Sequence, residues 1–241
     1  MVDRSQRTFR PELGAVAVIV PAHDEQRLLE GCLNALAAAA WHARRGGLRV
    51  STLVVADACT DATRATARAH GAVSITTTVK NVGAARAAGT ERALEMLARD
   101  GYLPPNVYLL HTDADSVVPP DWIIRHLRLA VDHDAVLGPV EVSDWAPRGL
   151  TCARRFEEAS AAEPDGHRVH GANLGVRADA YLRVGGFSAL PVAEDRALVA
   201  ALRAAGESVV FRRDLVVSTS ARVSRRVRGG FSDYLTRLAA G

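Results

Sequence analysis

The sequence predicts an α/β protein, a three-layer α/β/α sandwich around a mixed, mainly parallel central sheet. Three observations lead there. Strand-like and helix-like patterns alternate four times within about 130 residues, and such rounds build parallel sheets with right-handed crossovers. The runs at 15–20 and 107–110 are continuously apolar, the mark of strands buried on both faces. Polar clusters stand at the carboxyl ends of these strands, and a sheet built this way gathers them along one rim.

Residues 1–13 are polar and are expected to be loose; they lack the apolar stretch of a signal peptide. Residues 15–20 form the first strand, which ends in Pro21-Ala22-His23-Asp24-Glu25. Leu28, Leu29, Cys32, Leu33 and Leu36 recur at helical spacing, and Gly46-Gly47 ends that helix. Residues 50–56 form the second strand, closing on Asp57 to Asp61. Thr60 or Asp61 is expected to cap a helix that runs to His70. Residues 72–79, rich in β-branched side chains, form the third strand. Lys80-Asn81-Val82-Gly83 turns the chain into a helix that Gly101 and Pro104-Pro105 end. The fourth strand begins at Val107.

The later pattern is less regular. Strands are expected at 135–142, 168–176 and within 208–217. Helices are expected at 150–162, 178–184 and 194–205, the last two closed by Gly185-Gly186 and Gly206. No linker rich in Pro, Gly or Ser divides the 241 residues, so one domain is expected.

Composition excludes several classes. Charged residues at 24% and hydrophobic residues at 48% are ordinary for a globular chain. A net charge of +3 is too small to argue for nucleic acid. Arg212, Arg213, Arg222, Arg225, Arg226 and Arg228 are nonetheless opposed only by Asp214 in their stretch. Cys32, Cys59 and Cys152 are too far apart for a zinc site or a disulfide framework, which fits a reducing cytoplasm. No apolar run approaches the roughly 18 residues of a membrane span.

Asp113 and Asp115 end the fourth strand. Side chains two apart in an extended chain share a side, so both carboxylates emerge together where ligands sit in open α/β sheets. Hard oxygen donors of this kind suit Mg²⁺ or Mn²⁺, with a substrate phosphate completing the shell. The stretch also fits a plain helix cap, with Asp115 or Ser116 ahead of a helix near Pro119-Pro120. Taken alone, it leaves both readings open.

The ordered set of clusters resembles the family 2 glycosyltransferases, which have the GT-A fold. The resemblance lies in 18–25 (VIVPAHDE), 53–63 (LVVADACTDAT), 81–89 (NVGAARAAG), 110–119 (LHTDADSVVP) and 171–195 (GANLGVRADAYLRVGGFSALPVAED), and it spans residues 15 to 211. It implies a nucleotide-binding half at 15–118, an acceptor half at 119–217 and a basic segment at 218–241. The loop from Pro21 to Glu25 would line the base and ribose, with Glu25 a polar contact, and Asp57 would accept a hydrogen bond from the base. Asn81 and Gly83 would open a helix whose N-terminus faces the diphosphate, with Arg86 reaching for phosphate from its first turn. Asp113-Ala-Asp115 matches the family's DxD motif, with Asp115 the direct ligand of Mg²⁺ or Mn²⁺ and Asp113 at the metal or ribose. Asn173 would shape the sugar pocket. Glu194-Asp195 matches the ED motif, whose Asp is the usual general base of inverting members. His167, His170 and Trp145 are further candidates, for which ordinary packing is the plainer reading.

The resemblance thus implies transfer of a sugar from a nucleoside diphosphate to a hydroxyl acceptor. That acceptor could be anionic or lipid-linked, and the Arg222-to-Arg228 cluster would touch diphosphate, acceptor or an acidic membrane surface. A sugar-nucleotide pyrophosphorylase is the alternative enzyme, but it typically opens with a Gly- and Arg-rich loop where this chain has Pro21-Ala-His-Asp-Glu25. A non-catalytic binding module would be expected to lack Asp115 or Asp195, and both are present.

Overall fold

The computed structural model describes residues 12–142, 144–162, 169–223 and 229–240. Strands and helices first alternate strictly: β1 (Ala15–Ala22), α1 (Leu29–Arg45), β2 (Arg49–Asp57), α2 (Thr63–Ala69), β3 (Val73–Thr77), α3 (Val82–Arg99) and β4 (Val107–His111). These four strands pair in parallel, as the alternation predicted. β1 explains the layering. All residues from Ala15 to Val20 are fully buried, and the period of two sorts them into two cores. Val16, Val18 and Val20 pack with α1 residues such as Leu29, Leu33 and Leu36. Ala15, Ala17 and Ile19 pack with Ala85, Ala93 and Leu97 of α3.

The remaining elements are α4 (Trp122–Leu129), β5 (Ala135–Leu137), β6 (Val140–Val142), α5 (Leu150–Ala162), β7 (Leu174–Arg177), α6 (Ala178–Arg183), α7 (Glu194–Ala204), β8 (Val209–Phe211), β9 (Val217–Thr219) and α8 (Phe231–Ala240). The main sheet has the order β3-β2-β1-β4-β7-β5-β8, and a second sheet pairs β6 with β9. β7 runs antiparallel to both β4 and β5. α4 joins α1 on one face, and α6 and α7 join α3 on the other. The result is the three-layer sandwich with a mixed, mainly parallel sheet.

Four sequence expectations need correction. The strand expected at 135–142 is two strands in two sheets, broken at Gly138-Pro139, where proline cannot donate to a ladder. The strand expected at 168–176 contains a 3-10 turn over Gly171–Asn173, and only Leu174–Arg177 is β. The late strand expected within 208–217 is β8, and a further strand, β9, follows from Val217. The boundary expected after Val217 falls inside β9, and α8 was not expected at all. Its Phe231, Tyr234, Leu235 and Leu238 pack on Cys152 and Phe156 of α5, forming a third small core with Ala221 and Trp145. Neither Asp115 nor Ser116 caps α4, which begins at Trp122 with Asp121 at its N-cap.

Among the described residues, two histidines lie fully inside the fold, His111 and His126. Burial pushes the His126 imidazole down to about 3, although Asn173 Oδ1 lies 3.4 Å from its Nε2. Such a group binds its proton first in the unfolded chain. Its contribution is complete above the unfolded value near 6.5 and is lost as pH falls toward the folded value. Burial pushes the Asp115 carboxyl the other way, up to about 7, so a comparison of variants isolates the histidine. His126→Gln should gain about 2 kcal/mol on the wild type between pH 7.5 and 5.0. Urea unfolding of both proteins at the two pH values reads this, and a constant difference would show that His126 does not titrate on unfolding.

Candidate active site

The sheet order creates the cleft. The chain moves outward from β1 to β2 to β3, then returns to place β4 on the other side of β1. Ligands of open α/β sheets bind outside the carboxyl ends of strands at such a switch. β1 pairs with β2 as far as Ala22, but with β4 only as far as Ile19. Pro21 therefore lies where β4 has already left the sheet, so its missing N–H costs no bond on that side.

The loops after β1 and β2 are tied to each other. Asp24 adopts a left-handed conformation (φ 53°), and its Oδ1 accepts from Thr60 N at 2.7 Å and Asp61 N at 3.2 Å. The Thr60 N–H is the main reason its carboxyl sits below the usual range. The N-cap position of α2 is Ala62 rather than the expected Thr60 or Asp61, but Asp61 still accepts from Thr63 N at the first helical residue as well as from Gln26 N. Asp24, Cys59 and Asp61 bring ligand atoms within 4.8 Å of one another. Both carboxylates are already engaged by N–H groups, which makes the cluster a staple between loops.

Asp57 is buried. Its Oδ1 accepts from Thr77 Oγ1 and its Oδ2 from Asn81 N, each at 3.0 Å. The residue expected to meet the base therefore fixes the approach to α3. Asn81 caps α3 by accepting from Ala84 N at 2.9 Å. Gly83 N donates to Leu190 O, and Asn81 Nδ2 donates to Ala189 O. A Cβ at position 83 would collide with the backbone of Ser188, so glycine is required for this close approach. The helix N-terminus expected to face a diphosphate is thus covered by the 188–190 backbone.

Arg86 also differs from expectation. It does not reach outward for phosphate; it is 1% exposed. Its Nε donates to Glu194 Oε1 at 3.1 Å and its Nη2 to Asp113 Oδ1 at 2.5 Å. Burial works against its charge, but the fields of Asp113 and Glu194 outweigh it and raise the pKa. Gly171 leaves room for the guanidinium, since a Cβ there would stand 2.7 Å from Nη2.

Asp195 lies half-buried in the first turn of α7, where its Oδ2 accepts from Gly171 N at 2.7 Å. Glu194 is raised above the usual carboxylate range by burial, which outweighs the opposing charge of Arg86. Asn173, expected to shape a sugar pocket, is fully buried. Its Nδ2 donates to Pro139 O and Leu215 O, and its Oδ1 accepts from Trp122 Nε1. It ties the start of β7 to α4 and to the segments that lead into β6 and β9. Trp145 packs against Phe156, and His167 lies outside the described residues.

The sequence reading gave Arg222 only as one member of a basic cluster. Its guanidinium engages both oxygens of Glu25, and its Nε stands 3.3 Å from Asp115 Oδ2. Residues 224–228, with the rest of that cluster, lie outside the described residues. Nothing local links Glu25 to a residue 197 positions away; the pairing of β9 and the tertiary contacts after it bring the two together.

The rim now reads continuously. Glu25, Asp115, Asp113, Glu194 and Asp195 gather around two guanidiniums, those of Arg222 and Arg86. Burial, and then the charge of Asp113, push the Asp115 carboxyl up to about 7 despite Arg222. Hard oxygens in excess over positive charge are the donor set for Mg²⁺ or Mn²⁺, so the residues fit such an ion.

Comparison with known proteins agrees with this architecture. No match is found among curated proteins. TarS residues 1–349 from S. aureus, solved in complex with UDP-GlcNAc, aligns with a TM-score of 0.64 at 15% identity, covering 94% of this chain and 65% of that one. The mannosyltransferase PcManGT from Pyrobaculum calidifontis, solved with GDP-Man and Mn²⁺, aligns with a TM-score of 0.61 at 22% identity, covering 94% of this chain and 60% of that one. The chain spans 60–65% of the length of these structures, and identities this low speak for the fold. No described helix is long and apolar enough to cross a membrane. Residues 11–231 match the family described as "Glycosyltransferase like family 2", and the chain belongs to it.

Proposed function

We propose that this protein moves a sugar from a nucleoside diphosphate donor to a hydroxyl acceptor, with inversion and with Mg²⁺ or Mn²⁺. One observation carries the reading. Buried Arg86 joins Asp113 at the end of β4 to Glu194, the neighbour of Asp195. The carboxylates suited to an ion and the carboxylate suited to a base are therefore held in one frame. The complexes of TarS with UDP-GlcNAc and of PcManGT with GDP-Man and Mn²⁺ support the class of donor and ion.

Asp115, with Asp113 beside it, would hold the divalent ion, which when bound offsets the charge on the departing diphosphate. Asp195 takes the proton of the acceptor hydroxyl as that oxygen bonds to the anomeric carbon. The bond from this carbon to the diphosphate oxygen breaks, and its electron pair leaves with the diphosphate. The Gly171 N–H on Oδ2 fixes the orientation of Asp195, while Arg86 keeps Glu194 and Asp113 in register. The acceptor is soluble or lipid-linked on the cytoplasmic side, and the arginine-rich sequence at 222–228 suits an anionic partner. The test is incubation with UDP-, GDP- and dTDP-sugars with and without Mn²⁺. Release of nucleoside diphosphate and free sugar from at least one donor is expected, and inertness toward all three classes would overturn the reading.

The metal site gives its own prediction. Asp115→Asn keeps the shape but removes the charge a hard cation requires. The variant should bind UDP or GDP with the same affinity whether or not Mn²⁺ is present, whereas the wild type should bind more tightly with the ion. Titration calorimetry measures both, and retained metal dependence in the variant would remove Asp115 from the site.

A further inference from the structure

Arg222 arrives at the rim on a strap built to place it. β9 is anchored to the residues directly after Asp115. Val117 N donates to Ser218 O at 2.8 Å, Ser218 N donates back to Val117 O, and Ser116 Oγ donates to Thr219 Oγ1 at 3.1 Å. Beyond it, Arg148 clamps the strap. Its Nε donates to Ala221 O at 2.7 Å and its Nη2 to Arg222 O at 3.0 Å. The same guanidinium reaches Ser232 O, Ser232 Oγ and Thr236 Oγ1 on α8. Arg222 is thus delivered between Glu25 at the end of β1 and Asp115 at the end of β4, the two strands that flank the switch point.

We propose that Arg222 is a tethered cation that competes with the divalent ion for Asp115 and Glu25, and that binding of the ion displaces it together with the strap at 220–223. The proposal rests on the reading of the site given above. The oxygen of Asp115 nearest Arg222 cannot serve a guanidinium and an ion at full strength, and the two cations repel at that separation. The donor resolves the conflict. Its diphosphate adds negative charge beside the displaced side chain, and a permanently charged fork of N–H donors suits phosphate. The ion alone therefore binds weakly against Arg222, and ion and nucleotide each raise the affinity for the other by the same factor.

Calorimetry with Mn²⁺ alone, on the wild type and on Arg222→Gln, tests this. The variant should bind Mn²⁺ about tenfold more tightly, a change of about 1.4 kcal/mol, while losing affinity for UDP or GDP. Equal or weaker Mn²⁺ binding by the variant would overturn the proposal. The wild type provides a readout that needs no substitution. Saturating Mn²⁺ with UDP or GDP should speed amide hydrogen exchange at Arg222, whose N–H donates to Ser220 Oγ at 3.2 Å, as the strap leaves the rim. Unchanged exchange in a protein that demonstrably binds Mn²⁺ would sink the displacement alone. A wild type that binds neither Mn²⁺ nor nucleotide would sink the site reading with it.

Discussion

Arg86→Met should cost about 3–5 kcal/mol of stability, the range found when one partner of a buried ion pair is removed. Methionine fills much of the space of the arginine stem, so lost packing is a minor part. The cost lies in the carboxylates left behind. Glu194 is 5% exposed and loses the guanidinium that stands 3.1 Å from its Oε1. Asp113 is 41% exposed at the side chain, so water can replace most of what it loses. Glu194→Gln in the same background should therefore recover more stability than Asp113→Asn. Arg86→Lys should not rescue, since a single ammonium cannot reproduce two N–H bonds made by different edges of one plane. Urea denaturation of the four variants gives the numbers. A loss below about 1 kcal/mol for Arg86→Met would mean that water already shares the site.

The burial of Arg86 was legible, although the sequence reading placed it outward. Counting along α3 from Arg86 reaches Gly89, Thr90, Ala93 and Leu97, at spacings of 3, 4, 7 and 11, and all are buried. The residue sits in the stripe that faces the sheet. Helical period therefore opposed the phosphate role that the family resemblance implied.

Other features were fixed by different scales of information. β1, β2 and β4 could be read because both of their faces are covered, which makes each strand a local apolar signal, and the half-buried edge strand β3 could be read from its β-branched residues. The second half could not be read as well. β5, β6, β8 and β9 are three residues each, too short to show a period, and two of the joins are decided by Gly138-Pro139 and by the turn at Arg212. In the site, the carboxylates Asp113, Asp115, Glu194 and Asp195 stood out by spacing and position. What each one touches did not. Asp57 turned out to hold Asn81, Asn173 to hold Pro139 and Leu215, and Glu25 to hold Arg222. Those partners lie 24 to 197 residues away, and no local pattern encodes them.

Asp195→Asn should lower kcat by roughly 10² to 10⁴ and leave donor affinity nearly unchanged. A neutral hydroxyl is a poor nucleophile, and its proton must go to a base as the new bond forms. Asp195 stands at the start of α7, beyond the 188–190 backbone that covers the opening of α3. The carboxamide keeps an oxygen that can accept from Gly171 N, now 2.7 Å from Oδ2, so the turn at Gly171–Asn173 should stay in place. Thermal unfolding should shift little, which separates a chemical loss from a structural one. The donor is held by other groups in this scheme. An equal fall in kcat and kcat/KM would therefore mark an interaction made only in the transition state. The stereochemistry is a second, independent readout. An α-linked donor should give a β-linked product, visible in the coupling of the anomeric proton. An α-linked product, or full activity in the Asn variant, would show that Asp195 is not the base of an inverting displacement, and the rim would then need another proton acceptor.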